Sequence, residues 1–149
     1  LKYIVLCENL SIAGINTAGI PNNKTRTLIL DVKFNENYLE RAIHHELFHI
    51  INDNFKELFD ENEWKSFNKK NFIYSDCSTC GNNWNLDQLN DESGFFTEYS
   101  KSTISEDMAE VFSHLIFYQK EIDIKDPIII KKILFIEKII FKIDGNFNF

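Results

Sequence analysis

A chain of 149 residues, 44% of them apolar, is long enough for a sizeable core and fits one domain spanning 1–149. The net charge of −7 is dispersed along the chain, which argues against a nucleic-acid partner. The most apolar stretch, Ile128 to Ile143, is interrupted by Lys131, Lys132, Glu137, Lys138 and Lys142, so no membrane span is expected.

The chain opens on Leu1 and not on Met, so a processed or trimmed product is expected, and a missing targeting signal excludes nothing. Tyr3 to Leu6 is a short apolar run that reads as a strand. Gly14 to Asn23, with Gly14, Gly19 and Pro21-Asn22-Asn23, is rich in turn residues. Thr27 to Val32 is β-branched and apolar, a second strand. A helix follows from Tyr38 to about Asp53, with Asn35 as its N-cap and Leu39, Ile43, Leu47, Ile50 and Ile51 as its apolar stripe. Phe55 to Phe67 reads as another helix, and Asn71 to Gly94 as a long irregular connection. Thr103 to Lys120 carries a helical stripe of Ile104, Met108, Val111, Phe112 and Leu115. Asp126-Pro127 starts a last helix that runs to about Ile143 and ends at Gly145. Together these give an α+β fold with a small N-terminal sheet and a mainly helical C-terminal half.

The first helix contains His45-Glu46-Leu47-Phe48-His49, the pattern H-E-x-x-H. Composition alone would produce it in roughly one such chain in a hundred. Residues four apart lie on one helical face, so His45 and His49 can both turn a ring nitrogen to one metal ion. Glu46 is then placed to take a proton from an activated water, as the general base of a zinc peptidase. By helical geometry the apolar stripe should lie opposite the histidine face.

Two histidines leave a catalytic zinc short of a third protein ligand. The later helix offers Glu106 and Glu110, four apart and off its apolar stripe, with His114 one turn on. One carboxylate can bind the metal while the other accepts from a ligand histidine's free N–H, with His114 beside it in the surrounding shell. Against this stands a capping box of Thr103 with Glu106, and a solvated face for Glu110.

H-E-x-x-H followed by the helical Glu106 to Glu110, E-D-M-A-E, resembles the gluzincin branch of the zincin metallopeptidases. The stretch Tyr99 to Glu110 is similar to the catalytic domain of anthrax lethal factor and to the Pro-Pro endopeptidases. That resemblance implies a zincin-like fold, one catalytic Zn2+, and Glu106 as third ligand. It also implies that Tyr99, seven residues before Glu106, points into the site and assists the chemistry. A metzincin would need Gly at Asn52 and His at Phe55.

The expected reaction is hydrolysis of a peptide or protein by a zinc-activated water, with Glu46 as base and Tyr99 stabilising the oxyanion. His114 and Tyr74 are the next groups for that last role. The resemblance implies a substrate lying extended along an edge strand above the helix, and the Thr27 to Val32 strand is the natural candidate, since an extended peptide can add to an exposed sheet edge. The alternatives are a zinc-binding interaction domain without activity and a thiol–disulfide protein centred on Cys77 and Cys80. Intact Glu46 speaks against the first, and the lack of a strand–C-x-x-C–helix context against the second. Cys77 and Cys80 read as a tight disulfide or two free thiols, and Cys7 as a core thiol. The disulfide reading and the kinship to secreted peptidases favour a secreted or extracytoplasmic place. Oligomeric state is not legible.

Overall fold

A computed structural model describes residues 1–75, 77–78, 93–118, 124–147 and 149. The protein is α+β, with a small N-terminal sheet and a helical C-terminal half. The chain forms two compact units, Leu1–Lys56 and Glu57–Phe149.

In the first unit, β1 (Tyr3–Cys7) runs parallel to β5 (Thr27–Asp31), with Tyr3 opposite Thr27. On the other side of β5, β4 (Gly19–Asn22) is antiparallel, with Gly19 opposite Leu30. Between β1 and β4, β2 (Ser11–Ile12) and β3 (Ile15–Asn16) form a separate hairpin. Its two-residue turn has Ala13 at φ 51° and Gly14 at φ 80°, the left-handed pair that matches strand twist.

Two expectations change here. The stretch Gly14 to Asn23 holds β3 and β4, and Pro21 is tolerated within β4 because that strand lies at the sheet edge. The Thr27 to Val32 segment does not offer a free edge, because β5 is the central strand with β1 and β4 beside it. Its near-continuous apolar run fits that position: Leu28 and Leu30 are buried, and helix α1 covers β4 and β5.

Helix α1 (Glu36–Asn54) is capped as expected by Asn35, whose side chain accepts from the Tyr38 N–H at 2.9 Å, and has Glu36 in its first turn. Its buried residues are Arg41, Ala42, His45, Phe48 and Ile50. Leu39, Ile43, Leu47 and Ile51 are only half-buried. The histidines are therefore not opposite the buried face. The helix is covered on more than one side, and His45 lies in the buried arc between Arg41 and Phe48.

The predicted Phe55 to Phe67 helix splits into a 3-10 turn (Lys56–Leu58) and α2 (Glu61–Phe67). The break is Asp60, whose carboxylate accepts from the Asn62 and Glu63 N–H groups and opens a new helix. In the second unit, α3 (Ile104–Tyr118) buries Met108, Val111, Phe112 and Leu115, as its spacing predicted. Helix α4 (Pro127–Ile143) starts on Asp126, which accepts from the Ile128 and Ile129 N–H groups. It closes on extended Asp144, one residue before the predicted stop at Gly145. Helices α2, α3 and α4 pack on one another, with Trp64, Phe67 and Phe135 in edge-to-face contact 5.5 to 6.2 Å apart.

At the centre of this unit is a buried polar cluster. Asp107 Oδ2 accepts from Lys132 Nζ at 2.6 Å, the Tyr74 hydroxyl at 2.5 Å and the Trp64 indole N–H at 2.9 Å. Lys132 is fully buried and also donates to the Gly94 carbonyl at 2.7 Å, with its ammonium 4.0 Å from the Phe95 ring centroid. Burial pushes the Asp107 carboxyl up while Lys132 opposes it, and burial pushes the Lys132 ammonium down while Asp107 opposes it. Lys132 is thus not one of the solvated charges that interrupt an apolar helix. Among the described residues, no helix is long and apolar enough to cross a membrane.

Candidate metal centre

Within the first unit, α1 positions His45, Glu46 and His49. The two Nε2 atoms lie 3.2 Å apart, with the rings at 74° to each other. Two zinc–nitrogen bonds of about 2.05 Å at a tetrahedral angle separate their nitrogens by about 3.3 Å. The pair therefore has the bite that one zinc ion needs. His45 is 4% exposed, so its imidazole is largely withdrawn from water.

Glu46 is half-buried and packs against β4. A Cβ placed on Gly19 would lie 2.7 Å from Glu46 Cγ, so only glycine leaves the Glu46 stem its place. The Thr17 hydroxyl donates to the Gly19 carbonyl at 3.0 Å and steadies that strand. Sequence reasoning took Gly19 for a turn residue and missed this contact, because no local pattern tells which side chain faces a strand glycine. Beside the pair, burial holds His44 below the usual histidine range, with Glu40 opposing, and its Nδ1 is buried without a hydrogen bond.

The remaining predicted site residues belong to the second unit. Glu106 is half-buried in the first turn of α3, where Thr103 Oγ1 accepts from its backbone N–H at 3.2 Å, one half of a capping box. Glu110 is not on a solvated face: it is fully buried, and its Oε2 accepts from the Thr97 hydroxyl at 2.7 Å. His114 is buried, stacked on Phe96 at 4.5 Å, and its Nδ1 lies 2.8 Å from the Glu110 carbonyl. Tyr99 is half-buried at the start of a 3-10 turn (Tyr99–Lys101). Tyr74, named as a fallback oxyanion partner, donates to Asp107 and accepts from Asn68 Nδ2 at 2.8 Å, so its hydroxyl is committed to the core. Thr97 was overlooked in the sequence.

Cys7 is a half-buried free thiol at the end of β1 that donates to the Leu30 carbonyl. Cys77 is disulfide-bonded. The pairing read from C-x-x-C also involves Cys80, which lies outside the described residues.

No curated protein and no solved structure matches the chain. Residues 17–127, about three quarters of the chain, match a family described as "Putative zinc-binding metallo-peptidase". That span contains His45, Glu46, His49, Tyr99 and Glu106, and on its extent the chain belongs to this family of metallopeptidases.

Proposed function

We propose that this chain is a zinc-dependent endopeptidase of the zincin type, with His45, His49 and Glu106 holding one catalytic ion. The observation that carries the reading is the 3.2 Å pair of Nε2 atoms with Glu46 on the same helix, in a member of a metallopeptidase family. Glu106 supplies the carboxylate that a two-imidazole site lacks. Glu110 and His114 act behind the ligands, where outer partners orient them.

Bound zinc would acidify a water and polarise the scissile carbonyl. Glu46 takes the proton and passes it to the leaving amine. The Tyr99 hydroxyl donates to the oxyanion as it develops. An extended peptide adds to β4, an edge strand whose Gly19 adjoins Glu46, and not to the central β5. The substrate is a peptide or protein.

The test is Glu46→Gln, assayed for zinc content and for turnover of an unstructured protein substrate. The amide keeps the side chain's shape but takes no proton, so zinc stays at one per chain and turnover disappears. Near-parent turnover in the variant would falsify the base role. A parent that binds zinc but cleaves nothing across a broad peptide library would instead favour an inactive zinc-binding interaction domain.

A further inference from the structure

The segment that carries Tyr99 is a single 3-10 turn. It is closed by the Lys101 N–H on the Glu98 carbonyl at 3.2 Å and the Ser102 N–H on the Tyr99 carbonyl at 3.0 Å. One such turn is a weak element: Glu98 gives it no side-chain cap, and its further ties are a part-exposed Glu98–Lys101 ion pair at 2.6 Å and the Ser75 N–H on the Lys101 carbonyl at 3.3 Å. Something else must hold it if a phenol there is to be aimed to within an ångström.

The structure assigns that task to Thr97 and Glu110, which we propose as positioning residues for Tyr99. The proposal rests on the peptidase reading, in which Tyr99 meets the oxyanion. Thr97 is 1% exposed, and Glu110 and Ser100 are fully buried. Thr97 Oγ1 lies 2.7 Å from Glu110 Oε2 and 3.1 Å from Ser100 Oγ. The carboxylate can only accept, so the Thr97 proton points to Glu110. Ser100 must then donate its own proton to Thr97 Oγ1, and its lone pair receives the Thr97 N–H at 3.3 Å. The Ser100 N–H also reaches Thr97 Oγ1, at 3.2 Å.

Thr97 and Ser100 therefore close a ring around residues 98 and 99, and the ring is anchored to α3 by the buried Glu110 carboxyl group. The same segment is pinned just upstream, where Lys132 donates to the Gly94 carbonyl and the Gly94 N–H donates to Asp126 at 2.7 Å. Glu110 lies one helical turn beyond Glu106, so a single helix carries the proposed ligand and fixes the turn that carries the phenol.

The experiment is a double-mutant cycle between Thr97→Val and Tyr99→Phe, read as kcat at saturating peptide alongside zinc content. Thr97→Val keeps the volume and removes the donor. It should lower kcat by about ten- to a hundredfold, the scale of an ångström-sized misplacement. Zinc should stay at one per chain, and Thr97→Ser should restore kcat. In the Tyr99→Phe background, Thr97→Val should cost nothing further. An equal loss in both backgrounds overturns the proposal, because the hydroxyl would then act through something other than Tyr99. Amide hydrogen exchange supplies an arm independent of turnover. Ser100, Lys101 and Ser102 should exchange faster in Thr97→Val, or in the milder Ser100→Ala if that variant folds poorly, while the middle of α3 stays protected. Unchanged exchange there refutes the clasp even if the parent proves to be no peptidase. A parent without turnover but with the faster exchange discards the peptidase reading alone.

Discussion

Gly19→Ala is the most economical probe of the site's geometry, since it adds one methyl group on a neighbouring strand and touches no proposed ligand. Gly19 lies in β4 and has no positive φ, so alanine adopts its backbone conformation without strain. The new Cβ would meet Glu46 Cγ at 2.7 Å, while Leu30 Cδ2 and Glu46 Cδ stay at an ordinary 3.5 Å. Carbon atoms settle at about 3.5 Å or more, so the Glu46 stem must retreat by about 0.8 Å. The carboxylate is carried along and leaves its position for the water by about an ångström. A misplacement of that size costs about a hundredfold in rate. Zinc content should not move, because both histidines project from the helix independently of the Glu46 rotamer. Stability should change by less than about 1 kcal/mol, since alanine also reduces the freedom of the unfolded chain. The assay is kcat/KM on one peptide, with zinc content and melting temperature measured on the same preparations. Parent-level turnover in Gly19→Ala would show that Glu46 is not held by this contact. Loss of zinc together with activity would show that the helix had moved, and the argument from Glu46 would fail.

His45→Ala and Glu106→Ala should each abolish stoichiometric zinc in protein purified without added metal. Elemental analysis showing parent-level zinc in either variant would break the ligand assignment. Tyr99→Phe should retain zinc and slow turnover by about ten- to a thousandfold, the range for removing an oxyanion donor; unchanged kcat would return Tyr99 to an ordinary half-buried tyrosine. Lys132→Met should cost about 3–5 kcal/mol, because it leaves Asp107 buried without its cation, and thermal unfolding should show a drop of roughly 10 °C. Burial raises the Asp107 carboxyl in the fold, and losing Lys132 raises it further. The variant's deficit should therefore be small while Asp107 stays protonated in both folded proteins and grow as pH rises through the parent's raised Asp107 value, above the unfolded carboxyl value of about 3.9. A deficit that shrinks with rising pH contradicts the buried pair.

The parts of this molecule that were legible in the sequence are those whose cause is local. Asn35 caps α1 three residues before the N–H it accepts from, and Asp126-Pro127 does the same for α4. The spacing of His45 and His49 needs only a helix to bring their Nε2 atoms within 3.2 Å of each other. The small sheet was harder. Strands of two to four residues, such as β2, β3 and β4, are too short to show a period against turn residues. The central place of β5 was half visible in its unbroken apolar run, which an edge strand with one wet face does not need.

The parts that sequence reading missed are held by partners far along the chain. Asp107 reaches Trp64 across 43 residues, Tyr74 across 33 and Lys132 across 25. Yet position carried a signal that residue type hid. Lys132 falls on the stripe of Ile129, Phe135, Ile136 and Ile139, so its ammonium had to find a buried acceptor. Glu110 and Asp107 likewise flank Met108 and Val111 in the buried arc of α3, where a carboxylate without donors would be too costly to keep. Both acids find donors, with Asp107 taking all of its own on Oδ2 while Oδ1 stays buried without a hydrogen bond, and both act on the same segment: Glu110 through Thr97, and Asp107 through Lys132 and the Gly94 carbonyl. Residues 94–100, which include Tyr99, are thereby held by two buried carboxyl groups from within the helical unit. A charged residue at a core position of a helix is thus the sequence sign to follow, because it implies a partner elsewhere in the chain. Here each partner leads back to the turn that presents the phenol.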